Sequence, residues 1–364
     1  MPTTSRPWYA RRRTPLLFAM VATCAAAAWY QLAVRPYRPP QVDRQPSASV
    51  AARGVTDGLG HDAHERTTQL VVWQQALAAD TGSALVLSQL AALHAQRARE
   101  TGAFNDYLDA EQLARHALAR RTQRNGPAAV TLVNALLAQH RFVDAMAVAD
   151  SLVLREPDIP SYQAMRAEVA MELGQYALAD SLFTHLRPYR TQPGIAPRVA
   201  RWLELTGRVG EARTLLINAW QTLAERRDTP RETLAWFALR VGDLEQRAGR
   251  PRVAAAVYRR GLSLRPNDAR LLAAMARLAL RAERVNAALA WANLAVAAQT
   301  DATTLLTLAE AQEAAGDRAE AARSASGVRA LVAAQGGAPH RDWLLWQLNH
   351  HEQVEAVLAQ ATAD

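Results

Sequence analysis

The sequence has no lysine and a single cysteine. All 42 basic residues are arginine, set against 34 acids. The lone thiol, Cys24, rules out a disulfide within the chain and any zinc site built on cysteines. It leaves the compartment open, because oxidising compartments also hold cysteine-poor proteins. Aromatic residues make up only 6% and β-branched residues are sparse, while alanine and leucine dominate. That balance favours helix throughout. Signals for chemistry are missing as well. There is no glycine-rich phosphate loop, no nucleophile elbow and no histidine pair at helical spacing with a glutamate base. His350 and His351 are adjacent, so on a helix their rings point in different directions. His61 and His64 have no second cluster of ligands to join. The chain is expected to be no enzyme and to need neither metal nor cofactor.

A pI near 10.3 raises the question of nucleic acid. The distribution of charge argues against it. Residues 1–45 hold seven arginines and one acid, which is +6 of the formal +8. The remaining residues carry 35 basic and 33 acidic side chains, interspersed. A groove for a phosphate backbone needs a strong local excess, and none is present.

What is there is a period. Alanine recurs at Ala110, Ala145, Ala179, Ala212, Ala254, Ala288 and Ala321, in steps of 35, 34, 33, 42, 34 and 33. Five residues before each stand Asn105, His140, Gly174, Gly207, Gly249, Glu283 and Gly316. Glycine and asparagine, which tolerate a left-handed backbone, hold five of these seven places. Twelve residues before the later alanines stand Val133, Ala167, Ala200, Gly242, Ala276 and Ala309, nearly all small. The fullest copy is Arg247 to Pro266, with Gly249, Ala254, Tyr258, Gly261 and Pro266 in register. Small residues at these places let two helices approach closely. This pattern resembles the tetratricopeptide repeat, over roughly residues 83–330. The resemblance implies an all-α fold, a superhelix of antiparallel helix pairs, and a scaffold or peptide-binding role without chemistry. Two departures stand out. One step is 42 residues long, and the aromatic place of Phe183 and Tyr258 is held elsewhere by Ala114, Ala149, Leu216, Ala292 and Ala325. The join at Glu225 to Pro230 is expected to lengthen both flanking helices.

Ahead of the array, residues 1–15 form a basic tail. Residues 16–34 follow as nineteen residues without a charge. As a helix they span about 28 Å, the thickness of a bilayer core. Trp29 and Tyr30 sit near one end, where interfacial aromatics belong. More arginines precede the segment than closely follow it, so the positive-inside rule puts the N-terminus in the cytoplasm and the array in the periplasm or outside the cell. The segment reads as an uncleaved transmembrane signal-anchor helix. Two alternatives stay open: a cleaved secretory signal, for which Ala25 to Ala27 offer small residues, and a lipoprotein signal ending at Cys24. Residues 35–60, rich in proline and arginine, read as a disordered linker. Residues 61–335 then form a solenoid of about seven helix pairs with an N-terminal capping helix, which opens at an N-cap box, Asp62 to Glu65. Residues 336–364 form C-terminal capping helices, with Trp346 either a buried lid residue or a contact site.

Function in such arrays usually lies on the concave face, lined by the first helix of each pair. Eleven residues before each marker alanine run Asn134, Glu168, Arg201, Asp243, Arg277 and Glu310, all polar or charged. Glu204, Trp236, Gln246, Arg270 and Glu313 are neighbours of this row. Such a ladder can hold an extended peptide, with Trp236 as an apolar anchor. A solvated inner face with ion pairs between units, Arg201 near Glu168 or Asp243, is the competing reading. The signs alternate, so a simple carboxylate clamp is not indicated. These features lead to the expectation of a membrane-anchored adaptor for a protein or peptide partner, in a layout similar to bacterial envelope assembly factors. The alternative is a secreted or periplasmic module that binds peptides or small ligands. Partner identity and oligomeric state are not written in the sequence.

Overall fold

The computed structural model describes residues 60–334, 341–350, 354, 355 and 357. The expected membrane helix 16–34 and nearly all of the linker lie outside the described residues, as does most of the last expected helix. No described helix is long and apolar enough to cross a membrane.

The described residues form sixteen α-helices and no strand. Helix α1 (Gly60–Ala79) precedes seven pairs. They are α2 (Ala84–Thr101) with α3 (Asn105–Arg120), α4 (Gly126–Ala138) with α5 (Phe142–Arg155), and α6 (Pro160–Glu172) with α7 (Tyr176–His185). Then come α8 (Ala196–Leu205) with α9 (Val209–Ala224), and α10 (Arg231–Arg247) with α11 (Pro251–Leu264). The last are α12 (Ala269–Arg281) with α13 (Val285–Ala298), and α14 (Ala302–Ala314) with α15 (Arg318–Ala334), after which α16 (Arg341–Asn349) follows. Helix α1 begins at Gly60, so Asp62 lies inside its first turn and not at a cap.

The period has a physical origin. Six of the seven turn places adopt a left-handed backbone: His140, Gly174, Gly207, Gly249, Glu283 and Gly316. The exception is Asn105, which opens α3; in that irregular first link Gly102 takes the left-handed role and its N–H caps the Ala98 carbonyl. All seven marker alanines are at most 1% exposed. They are buried between packed helices, so a larger side chain there has nowhere to go.

The missing aromatics are compensated by size across the pair. Fully buried Tyr258 faces Gly242, while Ala149 shares a core with Val133. Where both places are alanine, a neighbour fills the space. Trp291 packs against three clusters beside Ala292, and Trp343 and Trp346 of α16 pack with Ala325. Trp346 is thus a buried lid residue, stacked on His350 at 3.9 Å. The long step of 42 lies in α9 and α10, sixteen and seventeen residues long where α4, α6, α12 and α14 have thirteen.

Side-chain caps mark several starts. Ser83 accepts from the Val86 N–H, Asp268 accepts from the Leu271 N–H, and Asp301 with Thr304 forms a reciprocal capping box.

Candidate functional site

Consecutive first helices pack on one another, α2 on α4, α6 on α8, α10 on α12 and α12 on α14. The surface they share curls until its two ends meet. The Arg265 guanidinium donates to the Glu100 backbone carbonyl, 165 residues away in sequence. Arg99 Nε lies 3.9 Å from Glu232 Oε2, and a Cβ on Gly102 would fall 2.6 Å from Gln299 Oε1. The C-terminal end of α2 therefore abuts the start of α10 and the loops before α12 and α14. This contact forms a seam. The first helices face the inside of the curve it closes.

The residues of the polar row differ sharply in their freedom. Glu204 is nearly buried between two guanidiniums, Arg240 at 2.8 Å and Arg247 at 3.0 Å. Glu168 pairs with Arg198 at 2.7 Å, and Asp243 accepts from the Tyr258 hydroxyl at 2.8 Å with Arg240 at 3.5 Å. Arg201 pairs with neither Glu168 nor Asp243; it is exposed and has no hydrogen bond or ion pair among the described residues. Gln246 Oε1 lies 3.3 Å from the Tyr258 hydroxyl. Arg277 donates to Thr307 at 3.2 Å, and Glu313 meets His350 at 2.9 Å. Glu310 is exposed and Asn134 half-buried. Most of the row thus braces neighbouring helices, while Arg201, Asn134 and Glu310 have no hydrogen bond or ion pair among the described residues. Burial is the largest influence on the Asp243 carboxyl and pushes its pKa up, although the Tyr258 hydrogen bond and nearby arginines oppose it. The same burial, with the adjacent carboxylate, pushes the Tyr258 hydroxyl up.

Trp236 and Arg270 belong to a different feature. They line a cavity of about 860 Å³ beside the seam. Arg99 and Tyr107 form one side, the first turns of α10 and α12 the other, and Gln192 to Arg198 with Arg226 complete it. Trp236 stands edge-on to Phe237, with centroids 5.1 Å apart. Glu232 is 3% exposed and receives Arg270 at 3.0 Å; Arg270 also holds Asp268 at 2.9 Å. Asp268 is 1% exposed. Its burial would raise the carboxyl, but Arg270, Arg265 and the Leu271 N–H outweigh that and hold it below the usual carboxylate range. The periodic row gave no sign of Arg99 or Tyr107, because α2 and α3 reach the cavity through the fold and not through the period; Glu232, in the first turn of α10, lies outside the row.

One group of metal-ligand type occurs among the described residues: His94, Asp106 and Asp109. His94 Nδ1 lies 3.0 Å from Asp106 Oδ1, and Arg97 grips Asp106 through two hydrogen bonds. A cation there would face a guanidinium, so the group reads as a brace between α2 and α3.

The tetratricopeptide-repeat profile matches residues 102–169. No curated protein sequence matches the chain. A chain of the Cut9–Hcn1 hetero-tetramer of the APC/C is similar at 14% identity and TM-score 0.55; the match covers 72% of this chain and about half, 48%, of that one. PilF of Pseudomonas aeruginosa is similar at 17% identity and TM-score 0.44, over 62% of this chain and 97% of that one. PilW, a type IV pilus biogenesis factor, is similar at 18% identity and TM-score 0.46, over 57% and 94%. The fold is that of a tetratricopeptide-like α-solenoid, an architecture suited to protein interaction.

Proposed function

We propose that the chain is a non-catalytic adaptor, held in the cytoplasmic membrane by residues 16–34, that receives a protein or peptide partner on the inner wall of its array. The array lies in the periplasm or outside the cell, where it serves the assembly of an envelope complex. The observation that carries the binding role is the inner wall itself. It joins a large cavity bearing a half-buried Trp236 to an exposed, unpartnered Arg201. Tryptophan and arginine are the residue types that most often anchor a partner. The anchoring role is supported by the uncharged run 16–34 and the arginines ahead of it.

Two measurements test this. A photo-crosslinking residue at position 236, in the full chain in its own cells, should trap a discrete partner, and Arg201→Glu should reduce the yield. No adduct at 236, or a yield indifferent to Arg201→Glu, refutes the inner-wall reading. The mature N-terminus and membrane fractionation test the anchor. A chain beginning after residue 27 and released into the soluble fraction would instead make it a secreted or periplasmic binding module.

A further inference from the structure

The seam is unlike the other contacts of the array. Neighbouring pairs share clusters of buried apolar side chains. No such cluster among the described residues joins α2 or α3 to α10–α14. Among the described residues the polar contacts across the seam are Arg265 to Glu100 and Arg99 beside Glu232, with Gly102 close against the Gln299 side chain; on the far edge Arg270 ties Glu232 to Asp268. An interface without a shared apolar cluster gains less on closing than the packed contacts between neighbouring pairs, so it is the weakest contact around the curve.

The cavity beside it is built from both edges of that interface. Its wall is rich in donors and poor in acceptors. Arg99, Arg198, Arg226 and Arg270 all line it, and each leaves one terminal nitrogen without a hydrogen-bond partner among the described residues. Its one acid, Glu232, already has Arg270 on one oxygen and Arg99 facing the other. Guanidinium N–H groups left over in this way are matched best by carboxylate oxygens. Tyr107, Trp236 and Phe237 supply the apolar part of the wall. The volume, about 860 Å³, admits a short piece of chain with a ring. A phosphate backbone is a poor match, because residues 46–364 carry 35 basic against 33 acidic side chains.

We propose that this cavity takes an acidic peptide segment bearing an aromatic side chain, supplied by the partner protein, and that the bound segment holds the seam closed. The proposal rests on the adaptor reading above and gives that partner a chemistry. The ring packs against Trp236 and Tyr107, while flanking carboxylates accept from Arg99 on one edge and Arg270 on the other. A guest that touches both edges binds the closed array better than the open one, and so shifts the population toward closure.

The test uses the full-length chain with Cys24→Ser, spin-labelled at the exposed positions Ala103→Cys and Ser263→Cys. The probes are three fluorescent peptides, Asp-Glu-Phe-Glu-Asp, Asp-Glu-Ala-Glu-Asp and Lys-Lys-Phe-Lys-Lys. The first should bind at least about tenfold more tightly than either of the others, and should narrow the label-to-label distance distribution toward its short component. Arg99→Ala and Trp236→Ala, each on a side chain that is not fully buried, should weaken it about fivefold or more. Arg265→Ala should broaden the distribution without probe. Equal binding of the acidic and basic peptides, or no dependence on the ring, overturns the site. A distribution indifferent both to the probe and to Arg265→Ala overturns the closure. If position 236 traps a partner in cells while Arg99→Ala leaves that yield unchanged, the adaptor reading stands and the seam site falls.

Discussion

Gly242→Ala separates packing from helix propensity at the fullest repeat. In the middle of a helix, alanine in place of glycine gains about 1 kcal/mol. Here the new Cβ would fall 2.5 Å from Tyr258 Cδ1 and 2.9 Å from its Cζ. The ring cannot give way, because Tyr258 is 0% exposed and its hydroxyl is tied to Asp243. Overpacking of this kind costs about 1–3 kcal/mol. Losing the hydrogen bond to a charged acceptor costs about 1.5–3 kcal/mol more. The net expectation is destabilisation by about 3 kcal/mol, local to α10–α12. An array of repeats unfolds in parts, so the measurement is amide exchange helix by helix. Amides of α10 and α11 should exchange about a hundredfold faster, with α4–α6 as the internal reference. The decisive step is the second variant. Once Tyr258→Ala has removed the ring, adding Gly242→Ala should stabilise by about 1 kcal/mol, since only the propensity gain remains. One substitution thus changes sign with its neighbour. Slower exchange in the single variant, or the same effect of Gly242→Ala in both backgrounds, refutes the argument.

Asp268→Ala removes both the cap of α14's predecessor α12 and the buried partner of Arg265, and should destabilise α12 by about 3 kcal/mol, read as faster exchange there. The Asp268 pKa is depressed, so its contribution is complete above the ordinary value of about 3.9 and is lost as pH falls through the lower folded value. Acid titration should therefore bring wild type and Asp268→Asn together. Asp243 runs the other way. Its pKa is raised, so the folded form loses stability as pH climbs from about 3.9 through the folded value. Asp243→Asn keeps an acceptor for Tyr258 and should match or exceed wild type in thermal unfolding at pH 7; a clear fall in stability would show that Asp243 owes more to Arg240 than to its burial. Gly249→Ala meets no atom within 4 Å but must hold a φ of +70°, so it should cost only about 1–2 kcal/mol.

Much of the fold was legible because its governing contact is local and repeated. A small residue at the crossing and a left-handed residue at the turn must recur wherever two helices meet in the same way. Even the exceptions obey that rule: His140 and Glu283 take the left-handed backbone that glycine takes elsewhere. The volume exchange between Gly242 and Tyr258 was visible only in part, since it joins places on different helices of a pair. Trp291 and Trp343 fill their gaps from outside the pattern, one residue along in α13 and a whole helix later in α16.

The inner wall was legible in direction but not in allegiance. Counting eleven residues back from an alanine finds the face that Glu204 and Arg201 share in turn, but it cannot tell that Arg240 and Arg247 close on the first and leave the second free. That depends on the rotation between neighbouring pairs, which no single repeat encodes. The seam lies further out of reach. Curvature accumulates over five repeats before Glu100 meets Arg265, and a few degrees at each step decides whether they touch. The residues that make the contact follow no period. They are drawn from the last turn of α2, the first turns of α10 and α12, and the loops before α12 and α14. A solenoid thereby keeps its two tasks apart. The periodic positions fix the curvature and tolerate almost no change in volume. The polar residues where the curve meets itself are set by the path of the whole array, and in the proposal above they select the guest.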